Sequence, residues 1–429
     1  MKLRAALSRL SNLRETFYRC KYRFWDVHRM PTGAMRKRAA ALRRKAVVRV
    51  AFIVYDPAKW KLEPLYVQMR AHPRFEPVLV AAMIFGGDDA ENARLFMRCT
   101  DFLRSRGYPF VPASPLTDID GLVHPDVVFY GEPYPIFSRG YQLSADVRRA
   151  SLGCYVPYDF YNSSLQKTRR LPALNLAWLF CVESEAVRAE FSGALLNGGR
   201  NLVVTGSPVQ DMFLGATGEA GDRAWKPQVA AKKRVIWAPS HTLPGNRYNI
   251  YGQSTFLDFA EPMLALAEKY RDRIQWAFKP HPVLKRKLAE EWGAARTEAY
   301  YARWAEMDAG QLEEGGYVDL FAGSDALLHD GRSFLLEYLF TSNPVLFLDD
   351  GADKSAAFNA TLREAYDLHE KARTPEEVEA FLVRRVLGGD DPLRERREAF
   401  RQSRLVPPNG RTASQNIIDA ILGEGAYGG

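Results

Sequence analysis

The chain has 429 residues, 47% hydrophobic and 12% aromatic, enough for two cores of ordinary domain size and too apolar for disorder throughout. Its net charge of +8 is uneven: residues 1–50 hold fifteen Lys and Arg against Glu15 and Asp26, a net +13 that leaves the rest at −5. Because the positive charge is confined to one arm and no recognition motif accompanies it, the distribution argues against nucleic acid as a partner.

In that arm Leu3, Leu7, Leu10, Leu13, Phe17, Tyr18, Tyr22, Phe24 and Trp25 recur at helical spacing among the cations. One face of such a helix enters a lipid interface while the other meets anionic headgroups. The same pattern also suits a basic helix packed on its own domain. Charges interrupt every apolar stretch before a signal-peptide core can form, and no segment reaches the ~20 apolar residues of a membrane span. The expectation is a cytoplasmic protein, peripheral on the inner face of the membrane. Cys20, Cys99, Cys154 and Cys181 are widely separated and form no CxxC pair, as expected of incidental thiols in a reducing compartment.

Beyond the arm, residues 47–54 read as a buried strand. Tyr55-Asp56-Pro57 turns the chain toward a helix near Trp60, and 77–84 is a second strand followed by Gly86-Gly87 and a helical stretch through Arg106. Short apolar runs at 127–130, 154–157, 179–182 and 202–206 continue the alternation, with a helix from Ser184 to Ser192. After a Gly, Pro and Lys-rich stretch it resumes with 234–239, a helix from Phe256 to Tyr270, 274–278, 317–320, 326–329, a helix from Ser333 to Phe340, and 345–348. Helices follow at 374–384, 392–400 and 412–421. This βα alternation predicts two α/β domains facing a cleft. The expected divisions are a basic arm 1–46, an N-terminal domain 47–214, a linker 215–233, a C-terminal domain 234–390, and terminal helices 391–429 that cap the second domain or cross back to the first.

Two segments carry chemistry. Phe278-Lys279-Pro280-His281-Pro282 leaves a strand end, where open α/β sheets bind ligands, and its prolines hold Lys279 and His281 in a shaped loop. Lys serves phosphate as a point charge; His donates a hydrogen bond or exchanges a proton near neutrality. From Ser324 and Asp325 the chain runs through a short strand to Asp330-Gly331-Arg332-Ser333, with Arg332 suited to phosphate and Ser333 opening a helix as ligand hydroxyl or N-cap. Glu337 repels phosphate and suits ribose hydroxyls. The spacing of Asp325 and Asp330 does not define a metal site. Ser240, His241 and Thr242 follow another strand and converge on the same ligand.

With these residues in view, the second half resembles the CDP-glycerol glycerophosphotransferase family, which includes wall teichoic acid primases, polymerases and related capsule enzymes. The likeness lies in Ala238-Pro239-Ser240 with its polar loop, Lys279-Pro280-His281-Pro282, and Ser324-Asp325 through Asp330, Ser333 and Glu337, and it extends to Gly206-Ser207-Pro208 and Asp211. It implies a two-domain GT-B fold and transfer of an alditol phosphate from a CDP-alditol donor, with CMP leaving. His281, Ser324, Ser333 and Glu337 would belong to the donor site, and Ser240 and His241 would line the diphosphate. The acceptor would be a lipid-linked saccharide or surface polysaccharide at an anionic membrane surface. Family members commonly carry a His-Gly segment whose His is the base for the acceptor hydroxyl. Here the corresponding stretch is Val156-Pro157-Tyr158-Asp159-Phe160, so Asp159 is the provisional base and Tyr158 the acceptor-orienting residue. No cofactor is firmly implied, and a divalent-metal requirement stays open. The rival expectations are a nucleotide-sugar glycosyltransferase of similar architecture and a non-catalytic nucleotide-binding scaffold.

Overall fold

The computed structural model describes residues 31–84, 89–115, 117–133, 151–160, 172–216, 218–243, 254–352 and 358–427. The arm residues Leu3 to Trp25 and Cys20 lie outside these. The described residues form two compact units, one made of those up to 211 together with 407–427, the other of those from 212 to 406.

The first unit is built on seven parallel strands: β1 (Val48–Val54), β2 (Phe75–Ala82), β3 (Phe110–Ala113), β4 (Val127–Tyr130), β5 (Leu152–Tyr155), β6 (Leu179–Val182) and β7 (Leu202–Val204). Their spatial order is β3-β2-β1-β4-β5-β6-β7, the doubly wound arrangement in which the order reverses between β1 and β4. β1, β4, β5 and β6 are almost wholly buried, as continuous apolar runs with helices over both faces must be.

The helix Gly33–Arg43 starts on Thr32, whose hydroxyl accepts from the Met35 amide, and buries Met35, Ala39 and Leu42 at i, i+4, i+7 spacing in this unit's own core. For this part of the arm the packed-helix alternative is what the structure shows. The C-terminal helix Ala413–Leu422 completes the same core with Ile417, Ile418, Ile421 and Leu422. A capping box of Thr412 and Gln415 opens it, and Asp211 accepts from the Ala413 amide (2.7 Å), the Ser414 amide (2.8 Å) and the Ser414 hydroxyl (2.6 Å). Cys99, Cys154 and Cys181 are buried free thiols.

The second unit repeats the plan with β8 (Lys233–Ala238), β9 (Ile274–Phe278), β10 (Gly310–Leu312), β11 (Ala326–His329), β12 (Val345–Leu348) and β13 (Glu370–Ala372), all parallel and ordered β10-β9-β8-β11-β12-β13. Its reversal falls between β8 and β11. Trp237 of β8 stacks on Phe256 (5.5 Å between centroids, 5° between planes), and Phe278 of β9 stacks on Trp304 (5.3 Å, 23°). These aromatics anchor the two strands whose ends bear the polar loops. The apolar run 317–320, expected as a strand, is part of a helix, Val318–Ala322. The helix expected from Ser333 to Phe340 is a four-residue α-turn, Phe334–Glu337, running into a 3₁₀ segment, Tyr338–Thr341. Among the described residues no helix is long and apolar enough to cross a membrane.

Candidate functional site

In the second unit, β8 delivers Pro239-Ser240-His241-Thr242 and β9 delivers Lys279-Pro280-His281 to the C-terminal edge of the sheet. The loops are laced by backbone hydrogen bonds from Lys279 N to Trp237 O (2.8 Å) and His281 N to Pro239 O (3.0 Å). This register brings the His241 and His281 rings together, tilted against each other, 4.1 Å between centroids and 52° between planes.

Lys287, on the helix Leu284–Trp292, completes the cluster: its Nζ lies 3.1 Å from His241 Nδ1 and donates to His241 O at 3.0 Å. An ammonium has no lone pair, so Nδ1 accepts and the His241 proton sits on Nε2. His281 Nδ1 likewise accepts, from the Val283 amide at 3.2 Å, so this ring too carries its proton on Nε2. Each imidazole is thereby left as a neutral ring with an Nε2–H donor. Partial burial, then Lys287, lowers the His241 pKa. His281 keeps an exposed edge, yet the protein packed around it and then His241, Lys287 and Lys279 push its pKa down to about 4. The cluster is thus crowded with positive charge and donors, a field that an anion relieves.

Asp330, at the end of β11, ties this edge together. Its Oδ1 accepts from the Ser240 amide (2.5 Å), and its Oδ2 from the Ser254 hydroxyl (2.6 Å), the Thr255 amide (2.8 Å) and the Thr255 hydroxyl (3.2 Å). It bridges the point of strand reversal, holds the His241 loop, and anchors Thr255 at the start of the helix Phe256–Lys269, where Thr255 makes no side-chain cap of its own. Ser240 Oγ and Thr242 Oγ1 are 3.0 Å apart beside it. Ser333 is exposed, and its hydroxyl makes no cap hydrogen bond.

Other candidates are engaged elsewhere. Lys279 is buried, with its ammonium on the carbonyls of Gly315 (2.8 Å) and Glu313 (3.5 Å). Ser324 and Asp325 precede β11 and so lie at the opposite edge of the sheet. Ser324 bonds to Phe321 O and the Tyr338 hydroxyl, both 2.8 Å; Asp325 pairs with Lys233 Nζ and the Arg234 amide, both 2.8 Å. Five residues of extended chain, about 16 Å, separate Asp325 from Asp330, too far to share one ion. Glu337 is buried and accepts from the Tyr317 hydroxyl at 3.0 Å. Among the described residues no group of three or more His, Cys, Asp or Glu is arranged to hold a metal.

In the first unit, Tyr158 and Asp159 follow β5 and are half-buried. The same sheet edge holds a residue the sequence reading passed over, Glu132, just after β4. The Tyr55 hydroxyl donates to Glu132 Oε1 (2.6 Å), and Lys59 Nζ pairs with the same oxygen. Lys59 also lies over the rings of Tyr55 (5.3 Å) and Tyr158 (5.2 Å). Only the position of Gly131-Glu132-Pro133 directly after a buried strand hinted at it.

Two Rossmann-like lobes, each with polar residues where strand order reverses, define a chain of GT-B-like architecture. Solved structures share it: a variant of the wall teichoic acid polymerase TagF (TM-score 0.58, 13% identity, 96% of this chain and 97% of that one) and the S. aureus MnaA–UDP structure (TM-score 0.53, 16% identity, 88% and 96%). UDP-GlcNAc 2-epimerase from Neisseria meningitidis bound to UDP-GlcNAc is a third (TM-score 0.51, 14% identity, 88% and 100%). At these identities the likeness is one of fold. No family model matches the sequence, and neither does any curated protein.

Proposed function

We propose that this chain is a transferase that moves glycerol phosphate or a related alditol phosphate from a CDP-linked donor to a hydroxyl of a membrane-associated glycolipid or surface polysaccharide. The observation that carries the reading is the His241–His281–Lys287 cluster: two neutral imidazoles with Nε2–H donors and an ammonium, suited to the oxygens of a diphosphate. Ser240, Thr242, Arg332 and Ser333 extend the donor side. As the acceptor hydroxyl attacks phosphorus, charge builds on the diphosphate, and this cluster counters it while CMP leaves. On the acceptor side the sequence offers Asp159 and Tyr158. The alditol and the cytidine come from the resemblance and from structures of this fold, one of which is a TagF variant soaked with CDPG.

A second reading is a transferase using a UDP-sugar, favoured by the UDP-containing structures of the same fold. Incubation with CDP-glycerol, CDP-ribitol and UDP-sugars, each with a lipid-linked saccharide acceptor, separates them: CMP with phosphate carried to acceptor supports the first, UDP with sugar transfer the second. Binding without turnover of any donor leaves a scaffold. Peripheral attachment at the cytoplasmic membrane face rests on residues 1–30 alone, since the helix Gly33–Arg43 buries its apolar side at home. Removal of residues 1–30 is expected to weaken sedimentation with anionic vesicles; unchanged sedimentation rejects the arm as an anchor.

A further inference from the structure

Two buried imidazoles of the second unit take no part in the diphosphate cluster. His329 ends β11 and His369 immediately precedes β13, and their rings stand 5.2 Å apart with 64° between planes. The Nδ1 of each faces a backbone carbonyl at 2.8 Å, Gly331 O for His329 and Ala365 O for His369. A carbonyl oxygen only accepts, so both Nδ1 atoms carry protons and a further proton enters either ring only at Nε2. That of His369 is buried, with no hydrogen-bond partner among the described residues.

The charges around the pair do not favour a further proton. Lys371 Nζ donates to the carbonyl of His369 itself at 2.7 Å, and Arg397, ion-paired with Asp391, acts from the helix Arg394–Phe400. Asp367 and Asp349 act on Lys371, and Asp349 also pairs with Arg373 at 2.8 Å. Asp330, next in the chain after His329, has its carboxylate on the Ser240, Ser254 and Thr255 donors. Burial first, then His329, with Lys371 and Arg397 behind, hold the His369 imidazole well below its usual pKa. A second proton on either ring therefore requires the pair to leave the core. Because His329 Nδ1 is bonded to Gly331, opening there releases Asp330, the residue that holds the Ser240 loop.

We propose that the His329–His369 pair is an acid-sensitive latch: packed and neutral near pH 7, it holds the Asp330-Gly331 segment and with it the candidate site, and it opens as falling pH protonates the rings. The latch stands on the pair alone; its effect on ligand binding rests on the diphosphate reading of the His241 cluster. Acid strengthens the hold of that cluster on an anion, and the latch limits how far the gain extends. A ring that is neutral when folded and titrates near 6.5 when exposed gives stability that is present above that pH and lost below it. Each such ring raises the open population by up to about tenfold per pH unit.

The test is hydrogen exchange of the full chain over residues 326–333 from pH 7.5 to pH 5, corrected for the intrinsic exchange rate, in wild type and His369→Asn. Asparagine keeps an N–H near the place of Nδ1 and does not titrate. Below pH 6.5 the opening of wild type is expected to steepen by up to about tenfold per pH unit more than that of the variant. Parallel profiles overturn the proposal. Should His369→Asn fail to fold, imidazole nitrogen NMR of wild type decides. Both rings are expected as neutral Nδ1–H tautomers at pH 7.5, with imidazolium appearing only as residues 326–333 lose protection; imidazolium with protection intact overturns the proposal equally. Neither arm uses a nucleotide, so failure of CDP to bind rejects the diphosphate reading without touching this result.

Discussion

Lys287 fixes the tautomer of His241 and adds to the effect of burial in lowering its pKa, and it was not apparent from the motif because it lies on the following helix. Lys287→Ala is expected to weaken CDP binding roughly 10–100-fold, the range for a hydrogen bond to a charged group, measured by calorimetry. The same variant should move the His241 and His281 NMR titrations to higher pH, since a lowering charge is removed; unmoved titrations would show that Lys287 does not act on the rings. The pH dependence has a definite sign. A bound diphosphate stabilises the imidazolium forms, so the complex holds more protons than the free protein, and affinity rises as pH falls from neutrality toward the free His281 value of about 4. Folding responds oppositely: with its folded pKa below the usual 6.5, His281 contributes stability present above about 6.5 and lost as pH falls toward about 4. The Lys279-Pro280-His281-Pro282 motif was legible as a loop at a strand end. That the Lys279 ammonium would turn back onto two carbonyls was not, because those carbonyls come from a segment more than thirty residues away.

At the scale of elements, the buried strands were readable because parallel strands covered on both faces are apolar throughout; residues 127–130, 179–182 and 274–278 match β4, β6 and β9. The edge strands β3, β10 and β13 escaped notice, being three or four residues long and only partly buried. The helix Val318–Ala322 departs from the expected strand because Tyr317-Val318-Asp319-Leu320 is too short for periodicity to choose. It packs against the helix Gly218–Arg223, within the stretch expected as linker, at a contact only glycine permits. A Cβ on Gly323 would lie 2.5 Å from Gly221 O and 2.6 Å from its carbonyl carbon. Because backbone opposes it, Gly323→Ala should destabilise the second unit by about 1–3 kcal/mol in urea unfolding; wild-type stability would mean that the helices separate freely. Asp330→Ala acts on another pair of elements. Stripping the Ser240 amide and the Ser254 and Thr255 donors of their acceptor should cost about 1–3 kcal/mol, together with nucleotide binding through the His241 loop.

For the whole molecule, the two sheets have separate hydrophobic clusters, and the chain does not divide between them at one point, because residues 407–427 belong to the first unit. The terminal helix contributes Ile417 and Ile421, both fully buried, and such side chains stabilise by about 1.5–3 kcal/mol each. Its removal would also leave Asp211 buried without the donors it now faces, and burial already raises its pKa. A chain ending at residue 406 should therefore lose protection against hydrogen exchange in β1, β4, β5 and β6, while β8, β9 and β11 keep theirs and CDP still binds. Preserved exchange in β1 would show that the first core stands without the helix. Simultaneous loss in β1 and β8 would mean that the units unfold as one cooperative body despite their separate cores.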